Sequence, residues 1–296
     1  MSYYDKVFKE NIRTILAQPT IPSTRAVWED TNEPANTKKS FGIINRYDLR
    51  KEIPVGTLRK FPIRNCIDEL LWIWQKKSNN IKDLRSHIWD SWADSNGSIG
   101  AAYGFQVASK LRPVRTETKG VDSGATIITV TTDYLDQTDY VIHELKHNPF
   151  SRRIITDLYS VDQTNIMGLD PCAYSMTYNV TLDESGNKVL NGILNQRSQD
   201  MIVANNWNIF QYSVLLILFA KEANMIPGEI IHVIADAHIY DRHIPIAEEL
   251  LEREEYDAPK LSINESKKSF YKYNCDDFTL MHYKHGDAIN NIPVAV

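Results

Sequence analysis

The chain is short of several features that mark whole classes of protein. Among 296 residues there are only three cysteines, Cys66, Cys172 and Cys275, widely spaced and without a CxxC pair. That argues against a zinc knuckle or a dithiol redox centre and suits a reducing compartment. Positive charge is not in excess. The net charge is −5, so no DNA partner held by phosphate neutralisation is implied, although a local arginine cluster can still receive a small anion. Long apolar runs are missing too: the most apolar one, Tyr212 to Ala220, is far too short to span a bilayer. The opening MSYYDKVFKENIRTILAQ reads as an amphipathic helix with charges throughout, not as a signal peptide. No internal repeat and no Gly/Ser-rich linker divides the chain. These absences predict a cytoplasmic protein with no membrane or DNA partner, folded as a single domain over residues 1–296.

What is present is an ordinary globular composition, with 43% hydrophobic and 24% charged residues, ample for a sizeable core. Apolar spacing predicts helices over Ile63 to Gln75, Ile202 to Ala223 and Ile244 to Arg253, the second apolar all round and therefore central. Alternation predicts a strand pair within Ser40 to Val55. It also predicts strands at Ala125 to Thr131, Arg153 to Leu158, Ala173 to Val180, Val189 to Gln196 and Ile230 to Ala235. Glu184 to Lys188 reads as a hairpin turn, and Thr132 and Asp133 as caps of a helix running to about Lys146. Gln18 to Lys39, with three prolines, reads as an ordered loop or a mobile arm. Helices and strands mix without regular βαβ alternation, so the fold class is α+β, a mixed β-sheet packed with long helices.

A few residues stand out as chemistry. Cys172 follows Pro171 at the mouth of a predicted strand. Alone it reads as a small buried hydrophobe; as a nucleophile it needs a cation to stabilise its thiolate. Candidate cations are Arg152-Arg153, normally a solvated face, and Arg197, followed by Ser198 and Asp200 at the top of an apolar helix. His238, Tyr240 and His243 are open to three readings: polar residues closing a sheet, metal ligands, or partners of a sugar hydroxyl. No companion ligands stand elsewhere at metal spacing, so no metal is expected. Trp72, Trp74, Trp89 and Trp92 are either packed core or a stacking wall for a flat heterocycle.

A set of segments carries a resemblance. These are Glu69 to Trp74, His87 to Trp92, Ala102 to Gln106, Ser151 to Ile154, Pro171-Cys172, Gln196-Arg197-Ser198 with Asp200, Asn208 to Tyr212, Asp236 to Tyr240, Tyr283 to Asp287 and Pro293 to Val296. In this order they resemble the thymidylate synthase family, in the form found in bacilli and their phages, essentially end to end. The resemblance implies a two-fold homodimer through the sheet. It implies transfer of a one-carbon unit from 5,10-methylenetetrahydrofolate to C5 of dUMP, with reduction to dTMP. The related alternative is a dUMP hydroxymethylase, in which water attacks the methylene intermediate.

The same resemblance assigns roles. Cys172 would add to C6 of the uracil, with Arg197 lowering its pKa and holding the phosphate. Arg25, with Arg152 and Arg153 from a second subunit, would complete the anion site, and Ser198 would join the nucleotide contacts. Asn208 would read the uracil edge, and His238 and Tyr240 the 3′-hydroxyl. Glu69 would shuttle protons, Tyr103 would assist removal of the C5 proton, and Trp89, Asp200 and the carboxylate of Val296 would hold the folate. The chain departs from the family pattern at Thr57-Leu58-Arg59, at Ala173, at Val203 to Trp207 and at Ala235. Trp207 stands where the family has phenylalanine, and these changes bear on the folate side of the pocket.

Overall fold

The computed structural model describes residues 1–122 and 125–296. Along the chain run α1 (Tyr3–Leu16), β1 (Thr20–Ile21), β2 (Thr37–Asp48), α2 (Ile63–Trp74), α3 (Gly104–Ser109), β3 (Arg112–Asp122), β4 (Ala125–Leu135) and α4 (Gln137–His147). Then come β5 (Ile155–Asp157), β6 (Ala173–Leu182), β7 (Lys188–Gln196), β8 (Gln199–Asp200), α5 (Asn205–Glu222), β9 (Ile226–Tyr240), α6 (Ile244–Glu252), β10 (Lys260–Ile263) and β11 (Phe278–Met281). A seven-stranded sheet has the order β1-β2-β9-β7-β6-β5, with β8 also on β9; β7 and β8 run parallel to β9 and the other pairs are antiparallel. The α+β expectation holds.

One face of this sheet is the core. Leu190, Gly192 and Leu194 of β7 and Ile230, His232 and Ile234 of β9 alternate inward at strand period. Gly192 lets these side chains pack close, since a Cβ there would lie 2.8 Å from the end of Leu216 of α5 and closer still to the end of Met176, and both would have to shift. α5 is buried from Ile209 to Ala220 except at Ile217, each large apolar side chain contributing about 1.5–3 kcal/mol. Its first turn therefore has a fixed place above the ends of β7 and β8.

The other face is uncovered. Ile155, Thr177, Ile193, Ile231 and Arg46 stand opposite one another in register across five strands. Ile155 and Ile193 are about two-fifths exposed, and Ile44 more so. A shallow depression lined by Arg46, Thr177, Asn191, Ile193, Glu229 and Ile231 lies on this face.

Several expectations need correction. Ser40 to Val55 is not a strand pair: β2 is one strand, and Leu49 to Val55 is turn and loop. The strand at Ala125 continues through Thr132 and Asp133 to Leu135, because β3 pairs with it along its whole length, and Asp136 is the cap of α4. Of the two readings of Gln18 to Lys39 the ordered one holds, β1 pairing with β2 across its ends and Val27 bridging to Pro34 between them. α5 starts at Asn205 rather than Ile202, since the carboxylate of Asp200 takes the N–H groups of Ile202 and Val203 in a turn.

Candidate active site

Cys172 lies at the entrance to β6, where the backbone is fixed from two sides. Its N–H donates to the hydroxyl of Tyr103 at 3.3 Å, and its carbonyl accepts from the N–H of Arg197 at 3.0 Å. Tyr103 holds its position with a positive φ of 45°, an uncommon conformation for a bulky residue and a recurrent one at functional sites. The next residue has to be glycine: a Cβ on Gly104 would lie 2.0 Å from the carbonyl oxygen of Ser78.

Arg197 reaches back over the same turn. Its guanidinium donates to the carbonyls of Pro171 at 3.1 Å and Asp170 at 2.7 Å, and Nη2 lies 3.8 Å from Cys172 Sγ. Burial pushes the Cys172 thiol up, while Arg197 and Arg25 pull it down; the balance stays above the ordinary range. Arg197 pulls the thiol's pKa down, but burial outweighs it. Arg25 is exposed and also acts on Tyr240, whose hydroxyl burial pushes up to about 12. Arg152 and Arg153 are exposed in the turn after α4. Among the described residues neither shares a hydrogen bond with this group, and their own-chain neighbour is Arg112, which donates to the Arg153 carbonyl.

Above the cysteine sits the first turn of α5. Asn208 Oδ1 accepts from Gln196 Nε2 and from Gln199 Nε2, each at 3.3 Å. Ser198, beside them, gives its carbonyl to Gln196. Neither Ser198's side chain nor Gln211 orients Asn208; Gln211 is turned to Glu69. That carboxylate is fully buried and accepts from Trp89 Nε1 at 2.5 Å, Trp207 Nε1 at 2.5 Å and Gln211 Nε2 at 2.8 Å. Burial raises the pKa of Glu69, and the three donors oppose that rise. Trp89 is only 7% exposed, so it offers a ligand little more than an edge. Reading the sequence missed Trp207, Gln196 and Gln199 as members of this group. Only the departure from phenylalanine at Trp207 hinted at one of them.

His238 and Tyr240 come together at the end of β9, ring centroids 4.9 Å apart. His238 Nδ1 bonds Asp236, which Lys39 also holds at 2.6 Å. Burial would raise the Asp236 pKa, but these two partners keep it below the usual range. Among the described residues no group of His, Cys, Asp or Glu is placed to hold a metal. The C terminus is paired rather than loose: Val296 exchanges two hydrogen bonds with Val27, at 2.9 and 3.0 Å. His243 bonds the Pro293 carbonyl at 2.8 Å and lies 3.8 Å from Asp200. The tail is thereby held beside the arm that carries Arg25.

A half-buried thiol beside a guanidinium, a carboxamide held by two others and a carboxylate ringed by N–H donors thus lie together. A family model described as thymidylate synthase matches residues 6–296. Thymidylate synthase from Bacillus mojavensis is 39% identical over 290 residues, covering 97% of this chain and 96% of that one. The enzyme of Bacillus phage phi3T is 37% identical over 98% of both chains. The solved thermostable thymidylate synthase A of Bacillus subtilis superposes with a TM-score of 0.86 at 37% identity, over 99% of both chains. The chain belongs to the thymidylate synthase family.

Proposed function

We propose that this thymidylate synthase-family enzyme methylates dUMP through a covalent bond from Cys172 to C6 of the uracil. The observation that carries this reading is the Arg197 guanidinium 3.8 Å from Cys172 Sγ and bonded to the carbonyls that frame it. A nucleotide phosphate arriving at Arg197 and Arg25 brings dUMP to a thiol whose ionised form those same cations favour. Asn208 reads the base through its amide, and His238 and Tyr240 receive the 3′-hydroxyl. Glu69 moves the proton at O4, and the Tyr103 hydroxyl, which accepts from the Cys172 N–H and keeps a second lone pair, orients the water that takes the proton from C5.

The donor set suits 5,10-methylenetetrahydrofolate, the family's one-carbon source. The Asp200 carboxylate can hold an amino-bearing ring, the Trp89 edge can flank it, and the Val296 carboxylate beside Val27 can close over it. When bound, that folate supplies both the carbon and the hydride that make the methyl group of dTMP.

The uncovered sheet face supports a homodimer. Its cross-strand row of Ile155, Thr177, Ile193 and Ile231 is open to solvent, and the charges beside it, Arg46 and Glu229, are paired with each other. A two-fold pairing there makes Arg152 and Arg153 available to the partner's phosphate site, which fits their lack of own-chain bonds to the Cys172 group. The three free cysteines suit a cytoplasmic setting. The reading is tested by Cys172→Ala, which should abolish turnover while dUMP still binds; product formation at a wild-type rate would remove Cys172 as nucleophile.

A further inference from the structure

His232 is a buried titratable group that the chemistry above does not use. It lies on the inner face of β9, 0% exposed, under the first turns of α5. Its Nε2 bonds Gln196 Oε1, and Gln196 in turn donates from Nε2 to Asn208 Oδ1. An amide oxygen only accepts, so this imidazole must carry its proton on Nε2. Burial pushes the His232 pKa down to about 3, so the ring stays neutral at any working pH, with one proton in one place.

The direction of every bond then follows. With Gln196 Oε1 committed to His232, its amide N–H points at Asn208. Gln199 sends a second N–H to the same oxygen. Asn208 Oδ1 is thus turned inward against two donors, and Nδ2, which makes no hydrogen bond among the described residues, is the group left to meet a ligand. An N–H donor there fits an acceptor such as the O4 of uracil and opposes the amino group of cytosine. Turning Asn208 over would set its own N–H against two others unless Gln196 and Gln199 turned as well. Gln196 can turn only if His232 moves its proton to Nδ1. That atom is buried without a partner, and the residue opposite in the β2–β9 register, Asn45, already has a buried unpaired donor, Nδ2. A second donor there gains nothing.

We propose that His232 is a positioning residue for substrate choice, its Nε2–H fixing Gln196 and through it the amide of Asn208, so that the site accepts a 4-oxo pyrimidine and rejects a 4-amino one. This rests on Asn208 being the base reader. The test compares kcat/KM for dUMP and for dCMP in the wild type, His232→Phe, Gln196→Met and Asn208→Asp. Both His232→Phe and Gln196→Met should raise relative use of dCMP roughly tenfold, since reversing the amide no longer strands buried donors. Simple loosening of the fold would slow both substrates alike and leave the ratio where it was. Should His232→Phe fail to fold, Gln196→Met breaks the same chain of bonds one step later and carries the comparison alone. An unchanged ratio in these variants, beside an altered one in Asn208→Asp, would overturn the role of His232 and leave Asn208 as the reader. An unchanged ratio in Asn208→Asp as well would remove the reader itself.

Discussion

Glu69 is a carboxylate buried with no cation bonded to it among the described residues, satisfied only by neutral N–H groups from Trp89, Trp207 and Gln211. Hydrogen bonds to a charged acceptor contribute about 1.5–3 kcal/mol each. Trp207→Phe restores the residue usual in the family and keeps a ring against Phe61, but removes one donor. The ionised form of Glu69 loses support, so its pKa rises further. The acid limb of the kcat–pH profile should move to higher pH, and kcat near neutrality should fall roughly tenfold, with KM for dUMP little changed. An unaltered profile would show that Trp207 is only packing. At this scale the candidates Cys172, Arg197, Asn208 and Glu69 were singled out mainly through the family resemblance, and the structure brings them into one neighbourhood. Their partners were not: which amide faces which depends on strand register, and Gln196, Gln199 and His232 look like ordinary strand residues until β7 and β9 are set side by side.

Among elements, the helices with strong apolar spacing were read to within a residue or two, as at α2 and α6. The errors fell where pairing decides. β4 runs past two residues that read as helix caps, because β3 pairs with them; and β2 ends where Asp48 and Arg50 make a turn. α1 shows a docking that no local pattern reveals. Asp5 in its first turn accepts from both the N–H and the hydroxyl of Thr57. Burial raises the Asp5 pKa to about 6, against the pull of those bonds. The group therefore favours the fold most when protonated. Its contribution is complete below about pH 4 and is lost as pH rises through about 6, a span of roughly 3 kcal/mol at most. Thermal denaturation of Asp5→Asn and wild type from pH 4 to 7 should show the difference moving in the variant's favour as pH rises. A constant difference would mean that Asp5 titrates normally.

For the whole molecule, one sheet face is filled by α5 and the other is left with an apolar cross-strand row. A second copy covering that row would bring its arginines to this subunit's site. Mixing inactive Cys172→Ala protein with an Arg152→Ala/Arg153→Ala double variant should then restore part of the activity, since one site of each mixed dimer has all its parts. No recovery after demonstrated subunit exchange would mean that each chain uses its own arginines. The mixed sheet and α+β class were readable from the sequence. A pairing through the sheet was implied by the resemblance, but the residues of the uncovered row were not legible, because alternation marks which residues share a face and not what lies against it.

Activation of dUMP by Cys172 for methylation is open to a plain test, mass analysis of the product. Purified enzyme given dUMP and 5,10-methylenetetrahydrofolate should yield dTMP, with dihydrofolate rising in equal amount by absorbance, and Cys172→Ala should yield neither. Formation of 5-hydroxymethyl-dUMP without dihydrofolate would replace reduction by hydration, and dTMP from the alanine variant would remove Cys172 as the nucleophile.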